Sequence, residues 1–145
     1  MNKRALKHID VVAGLIFERR KLLVCQRHHG AAFPLKWEFP GGKIEARESE
    51  IAALTRELQE ELDIHAGAMK LVHRHAHSYS DGPEVSLRFF HIIDYHGEIR
   101  NLVFEQIVWA DLAELADFDF LDGDLPLVRL LTDGVFSLSD SRKTI

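Results

Sequence analysis

Three glutamates, Glu57, Glu60 and Glu61, stand three and four residues apart inside residues 41–64, GGKIEARESEIAALTRELQEELDI. On a helix that rises about 1.5 Å per residue, this spacing gathers three carboxylates on one face. Like charges so placed repel and weaken the helix, so the arrangement calls for a cation. Gly41 and Gly42 follow Trp37-Glu38-Phe39-Pro40, and a short loop then leads into the helix, so backbone carbonyls can approach the same ion. Hard oxygen donors from helix and loop suit Mg²⁺ or Mn²⁺. The competing reading of such a stretch is a solvated acidic face; the paired glycines weigh against it.

The acids need a helix to hold them, and its signals are present. Ser49 is a good N-cap, and the helix is predicted to run from there to Leu62. Ile51, Leu54, Leu58 and Leu62 recur at helical spacing as a stripe that faces a core. Residues 9–17 and 21–26 read as two apolar strands forming a hairpin through the charged turn Glu18-Arg19-Arg20. Further strands are predicted at 69–79, 85–95 and 103–110, and a last helix near 126–131. Strands interrupted by one long helix and finished by another imply mixed α and β layers.

With 145 residues and no internal repeat or low-complexity linker, the chain reads as one domain. A net charge of −5 argues against a partner bound through a basic surface, so nucleic acid is not expected. Cys25, the sole cysteine, sits in the apolar run Leu22-Leu23-Val24-Cys25 and reads as a buried spectator. A single cysteine suits a reducing cytoplasm. Residues 1–6 lack the apolar core of a signal peptide, and no segment reaches membrane-spanning length. A cytoplasmic protein with no membrane partner is expected; the sequence sets no oligomeric state.

Read from Gly42, five residues lead to Glu48, seven more lead to Arg56, and Glu57-Leu58-Gln59-Glu60-Glu61-Leu62-Asp63-Ile64 follow. This resembles the Nudix box, G-x5-E-x7-R-E-U-x-E-E-x-G-U with U aliphatic, at every fixed position except Asp63, where the family has its last glycine. Asp tolerates positive φ, so the turn is expected to survive. The resemblance implies an α/β fold, an α/β/α sandwich around a mixed sheet, as one domain over 1–145 with its box at 42–64. It also implies that Glu57, Glu60 and Glu61 bind metal, joined by the carbonyl of Gly41, and that one acid, Glu57 foremost, orients or deprotonates the attacking water. Arg56 and Glu48 match positions that pair structurally in the family.

The segment Trp37 to Lys43 is similar to the MutT branch and to CTP pyrophosphohydrolases, which implies a Mg²⁺-dependent nucleoside triphosphate diphosphatase. Oxidised guanine triphosphate is the expected substrate. A pyrimidine enzyme acting on CTP or oxidised dCTP is the alternative, and a non-catalytic nucleotide-binding module is a third. A loop acid upstream of a late-strand tryptophan often completes the family's metal site; Glu105 is the candidate, although it lies closer to Trp109 than in MutT proteins. Lys43 is a candidate phosphate contact, and Arg27 a further candidate substrate contact. Asp124, in Asp119-Phe120-Leu121-Asp122-Gly123-Asp124-Leu125-Pro126, matches the position that reads the base, with a helix N-cap as its other reading. Tyr79 is a candidate for stacking on the base, or a rim aromatic. His73, His75 and His77 alternate along one strand; spread over about 13 Å they are too far apart for one zinc ion, and a solvated face is expected there.

Overall fold

The computed structural model describes residues 7–144, so the reading of residues 1–6 lies outside the described residues. The chain runs β1 (His8–Leu15), β2 (Phe17–Glu18), β3 (Lys21–Gln26), β4 (Trp37–Glu38), β5 (Gly41–Lys43), α1 (Glu50–Leu62), β6 (His65–Ala66), β7 (Met69–Ser78), β8 (Glu84–Ile92), β9 (Asp94–His96), β10 (Gln106–Asp111), α2 (Leu125–Thr132) and β11 (Arg142–Thr144). A central mixed sheet has the order β5-β1-β8-β7, with β1 and β8 parallel and the outer pairs antiparallel. A second sheet, β10-β3-β2 with β4 also on β3, is antiparallel. A third small sheet has the order β11-β9-β6.

The apolar runs in β1 and β3 do not alternate with polar residues because both faces of these strands are covered. Ala13, Leu15, Leu22 and Val24 join one core with Phe39, Phe89, Phe120 and α2. Val12, Ile16, Leu23 and Cys25 join the other, beneath Leu54, Leu58 and Leu62 of α1. Helices on opposite faces of the sheets make the α/β/α sandwich that the sequence leads one to expect, and Cys25 is buried with its thiol pKa pushed up by burial.

Several boundaries differ from expectation. β1 does not form a hairpin with β3; it pairs with β5 and β8, and only β2 turns back onto β3. That tight turn is made by Arg19 and Arg20, with φ of 51° and 65°, the twist that matches a two-residue hairpin. Ile51 is 52% exposed although it shares the angular sector of Leu58 and Leu62; it lies in the first turn of α1, and periodicity sets the angle about the axis but not how far the core extends beneath it. Ala53 is buried in its stead. β10 starts at Gln106 because Asn101 ties off the preceding turn, accepting from the Phe104 N–H at 2.8 Å and donating to the Phe104 carbonyl at 2.9 Å. The histidine face of β7 is packed, not solvated: the ring of His75 stacks on Phe89 at 5.6 Å and donates to the Gly123 carbonyl at 2.6 Å. The alternate residues Arg74, Ala76 and Ser78 are the exposed ones.

Candidate active site

α1 begins as its sequence directs, with the Ser49 hydroxyl accepting the Ala52 N–H at 3.0 Å, and it ends on Asp63 in the left-handed region, φ 58° and ψ 34°. At 100° per residue, Glu57 and Glu61 fall between the buried Ala53 and Leu54, whereas Glu60 falls outside that arc. Glu57 and Glu61 are accordingly partly buried, and the Glu60 side chain is 58% exposed.

The two inward acids lie over the paired glycines of β5. Glu61 Oε1 accepts the Gly41 N–H at 2.8 Å. A Cβ on Gly42 would sit 2.5 Å from the Glu57 carboxyl carbon, and one on Gly41 would sit 2.0 Å from the Val12 carbonyl oxygen. Gly41 therefore requires glycine for the close approach of the neighbouring strand, whereas a side chain at Gly42 would have to push the Glu57 carboxylate aside.

Arg56 fastens this arrangement. Its Nε and Nη2 donate to the two oxygens of Glu48 at 2.8 and 2.9 Å, its Nη2 to the Lys43 carbonyl at 3.1 Å, and its Nη1 to Glu57 Oε1 at 2.9 Å and Glu60 Oε2 at 3.4 Å. The Arg56 guanidinium and the Glu45 N–H hold Glu48 down at about 2. With its donors committed to helix and loop, Arg56 is a bidentate scaffold pair of the sort that Lys cannot replace.

The acids are in an environment that resists their charge. Burial, then the neighbouring Glu38 and Glu57, push the Glu61 carboxyl up to about 9. Burial also raises Glu57 above the usual carboxylate range, in spite of Arg56. Carboxyls that resist ionisation next to one another, as those of Glu57 and Glu61 do, are donors a hard divalent cation satisfies; with the exposed Glu60 as a third oxygen donor, the set fits such an ion.

A cavity of about 520 Å³ opens beside this group, lined by Gly41, Gly42, Lys43 and Glu61 together with Arg27, Glu38, Tyr79 and Asp124. Asp124 stands at the N-cap position of α2 but makes no side-chain cap bond; only 5% exposed, its carboxyl is raised well above the usual range by burial and then by Glu38. The Tyr79 hydroxyl accepts the Gly123 N–H at 3.3 Å, and its ring faces that of Phe33 at 5.5 Å across the cavity rim. Arg27 is committed to Glu38, with Nη1 donating to both oxygens at 3.1 and 3.2 Å. Lys43 is exposed at the cavity edge.

Glu38 escaped the sequence reading. It lies between buried Trp37 and Phe39 in an extended segment, and two-residue alternation turns it to the opposite side from both; a charged residue so flanked is the signal. Glu105, in contrast, is not drawn into the acidic group: its Oε1 accepts from the His29 N–H at 3.1 Å and meets His29 Nδ1 at 2.8 Å. His73, His75 and His77 are not among the groups placed to share an ion within the described residues. No helix among these residues is long and apolar enough to cross a membrane.

Comparison with known proteins agrees with this geometry. A NUDIX domain model matches residues 7–131. The chain is 36% identical over 124 residues to the CTP pyrophosphohydrolase of Escherichia coli K12, covering 86% of this chain and 91% of that one. It is 33% identical over 129 residues to the 8-oxo-dGTP diphosphatase of Haemophilus influenzae, covering 88% and 94%. The solution structure of the E. coli ORF135 protein superposes with a TM-score of 0.76 at 33% identity, over 89% of this chain and 91% of that chain. The Nudix box at residues 42–64, the sandwich that carries it and these likenesses lead to one conclusion: the chain belongs to the Nudix hydrolase family.

Proposed function

We propose that the chain is a Mg²⁺-dependent nucleoside triphosphate diphosphatase that yields a nucleoside monophosphate and pyrophosphate, with 8-oxo-dGTP preferred. The observation that carries this reading is the shared cavity: the Gly41/Glu61 corner and the buried Asp124 carboxyl line one space of about 520 Å³. That volume lies within the range of small-molecule sites. Bound divalent ions would neutralise the phosphate chain and sharpen a water for in-line attack on phosphorus. The chain's own residues do the positioning. Glu57, Glu60 and Glu61 supply the oxygen donors with the Gly41 carbonyl; Arg56 holds Glu57 in place; Lys43 meets phosphate at the exposed edge. A raised Glu57 is suited to take the proton of the attacking water.

Asp124 bears on the contrast between oxidised and normal guanine. A carboxyl that kept its proton would offer one donor beside one acceptor. Guanine presents two acceptors, N7 and O6, on its major-groove edge; oxidation at C8 turns N7 into an N–H donor beside O6, which such a carboxyl complements. Cytosine, with the N4 amine beside N3, presents the same donor–acceptor pair. The second reading, a CTP or oxidised dCTP pyrophosphohydrolase, is favoured by the 36% identity to the E. coli CTP pyrophosphohydrolase.

The test is turnover with Mg²⁺ on a panel of normal and oxidised triphosphates, with products identified. Faster cleavage of 8-oxo-dGTP than of dGTP and CTP, giving monophosphate and pyrophosphate, is expected. CTP or oxidised dCTP outpacing it selects the second reading, and no turnover of any member makes the chain a binding module.

A further inference from the structure

Outside the acidic face of α1, one other cluster of ion-binding side chains stands out among the described residues. His28 and His29, in the loop between β3 and β4, and Glu105, just before β10, each present a donor atom within 4.8 Å of the other two. All three are exposed, and the imidazole rings lie 4.1 Å apart at 33°. We propose that His28, His29 and Glu105 form a separate site for one divalent transition-metal ion of the zinc type.

The donor chemistry differs from that of the α1 glutamates. Two imidazoles and a carboxylate favour Zn²⁺ and its neighbours over Mg²⁺, which takes oxygen donors. The 2.8 Å contact between His29 Nδ1 and Glu105 Oε1 holds one proton between two lone pairs, and an ion can replace that proton. Zinc bonds nitrogen and carboxylate oxygen at about 2.0 to 2.2 Å, so tetrahedral donors around it stand about 3.4 Å apart, wider than the His29–Glu105 contact of 2.8 Å and inside the 4.8 Å that spans all three donors. His28 Nδ1 accepts the Gly30 N–H at 3.1 Å, so its lone pair is engaged there and an ion must displace that donor. Coordination there releases only an exposed backbone N–H, which water can satisfy.

The consequence reaches the cavity. The loop that bears the two histidines starts after Arg27 and continues to Ala32 and Phe33, all three of which line the cavity. Phe33 and Leu35 hold φ of 50° and 63°, a conformation that costs a non-glycine residue energy and persists where surrounding contacts enforce it. An ion shared with Glu105 ties this loop to the start of β10 and steadies one cavity wall.

The experiment uses the full chain, freed of any histidine tag, with Glu57→Gln, Glu60→Gln and Glu61→Gln combined to remove the oxygen donors of α1. Titration with Co²⁺, followed by visible absorbance, is expected to show one ion per chain, displaced by Zn²⁺ and not by Mg²⁺. His29→Ala or Glu105→Gln in that background weakens uptake at least tenfold. If circular dichroism shows the triple variant unfolded, the parent chain in saturating Mg²⁺ gives the same readout. No Co²⁺ uptake, or uptake unchanged by both His28→Ala and His29→Ala, overturns the proposal. Turnover with Mg²⁺ is a different measurement, so failure here leaves the diphosphatase reading standing.

Discussion

Glu61→Gln should stabilise the metal-free protein while weakening its grip on Mg²⁺. The folded chain keeps the Glu61 proton up to about pH 9, whereas an ordinary glutamate releases it near 4.5. Between those values the folded state binds the extra proton, so stability falls as pH rises, by about 1.4 kcal/mol per pH unit for one proton. At pH 7 the accumulated loss is about 3 kcal/mol relative to pH 4.5, or roughly 10 °C in Tm for a domain of this size. Glutamine has no proton to release. Its Oε1 can still accept the Gly41 N–H, and its amide can donate toward the neighbouring Glu38 and Glu57.

The assay is thermal or urea unfolding of parent and variant in EDTA from pH 5 to 9, repeated with Mg²⁺. The parent should lose stability across this window, and the variant should lose less by about one proton's worth of slope; Glu38, Glu57 and Asp124, raised in the same direction, keep the remainder. Mg²⁺ should restore the parent, most strongly at high pH where it competes with fewer protons, and should help the variant little. Equal slopes for the two proteins, or a variant less stable than the parent at pH 8 without metal, would refute this reasoning.

Three further outcomes are expected. Glu60→Gln should lower turnover by roughly 100-fold, the scale lost with one electrostatic stabiliser, with an unchanged circular dichroism spectrum because the side chain is 58% exposed; unaltered turnover removes Glu60 from the site. Gly42→Ala should weaken Mg²⁺ binding by calorimetry more than it lowers Tm, since its Cβ would fall 2.5 Å from the Glu57 carboxyl carbon. Asp124→Ala should change the ratio of kcat/KM for 8-oxo-dGTP over dGTP by tenfold or more, about 1.4 kcal/mol, with less effect on pyrophosphate release from a saturating substrate; an unchanged ratio takes Asp124 out of base selection.

What was legible in the sequence is what local spacing determines. Ser49, Leu54, Leu58, Leu62 and Asp63 mark a cap, a stripe and a turn, and each falls where helical geometry puts it. The apolar runs of β1 and β3 were legible as strands, and the sandwich that covers both their faces only through the resemblance of residues 42–64 to the Nudix box. The partners of those strands were not, because β1 meets β8 across a separation that no turn chemistry specifies. The same holds for the cavity. Glu38 and Asp124 are brought to one space by pairing of β4 with β3 and by α2 packing; the flanking aromatics of Glu38 signal that it turns away from them, but not that it meets Asp124. The packed histidine face of β7 depends on a bulge between Leu71 and His73 and on what lies over the sheet, neither of which follows from alternation.

The three acids that spacing makes equivalent are made unequal by burial. Glu57 and Glu61 share their arc of the helix with core residues, so an ion between them is reached through a region that disfavours charge, and a proton competes for each carboxylate. Glu60, out of that arc, stays hydrated and pairs only with Arg56 at 3.4 Å. The inward pair, both carboxyls raised by burial, takes up a dication in competition with protons, while the outward acid lies open to solvent. Metal capture and pH are thus linked mainly through Glu61, whose proton is held hardest, and substitution at Glu60 should reduce turnover without shifting the pH at which Mg²⁺ binds. A shift of that midpoint in Glu60→Gln equal to the one in Glu61→Gln would mean that the three carboxylates act as one set after all.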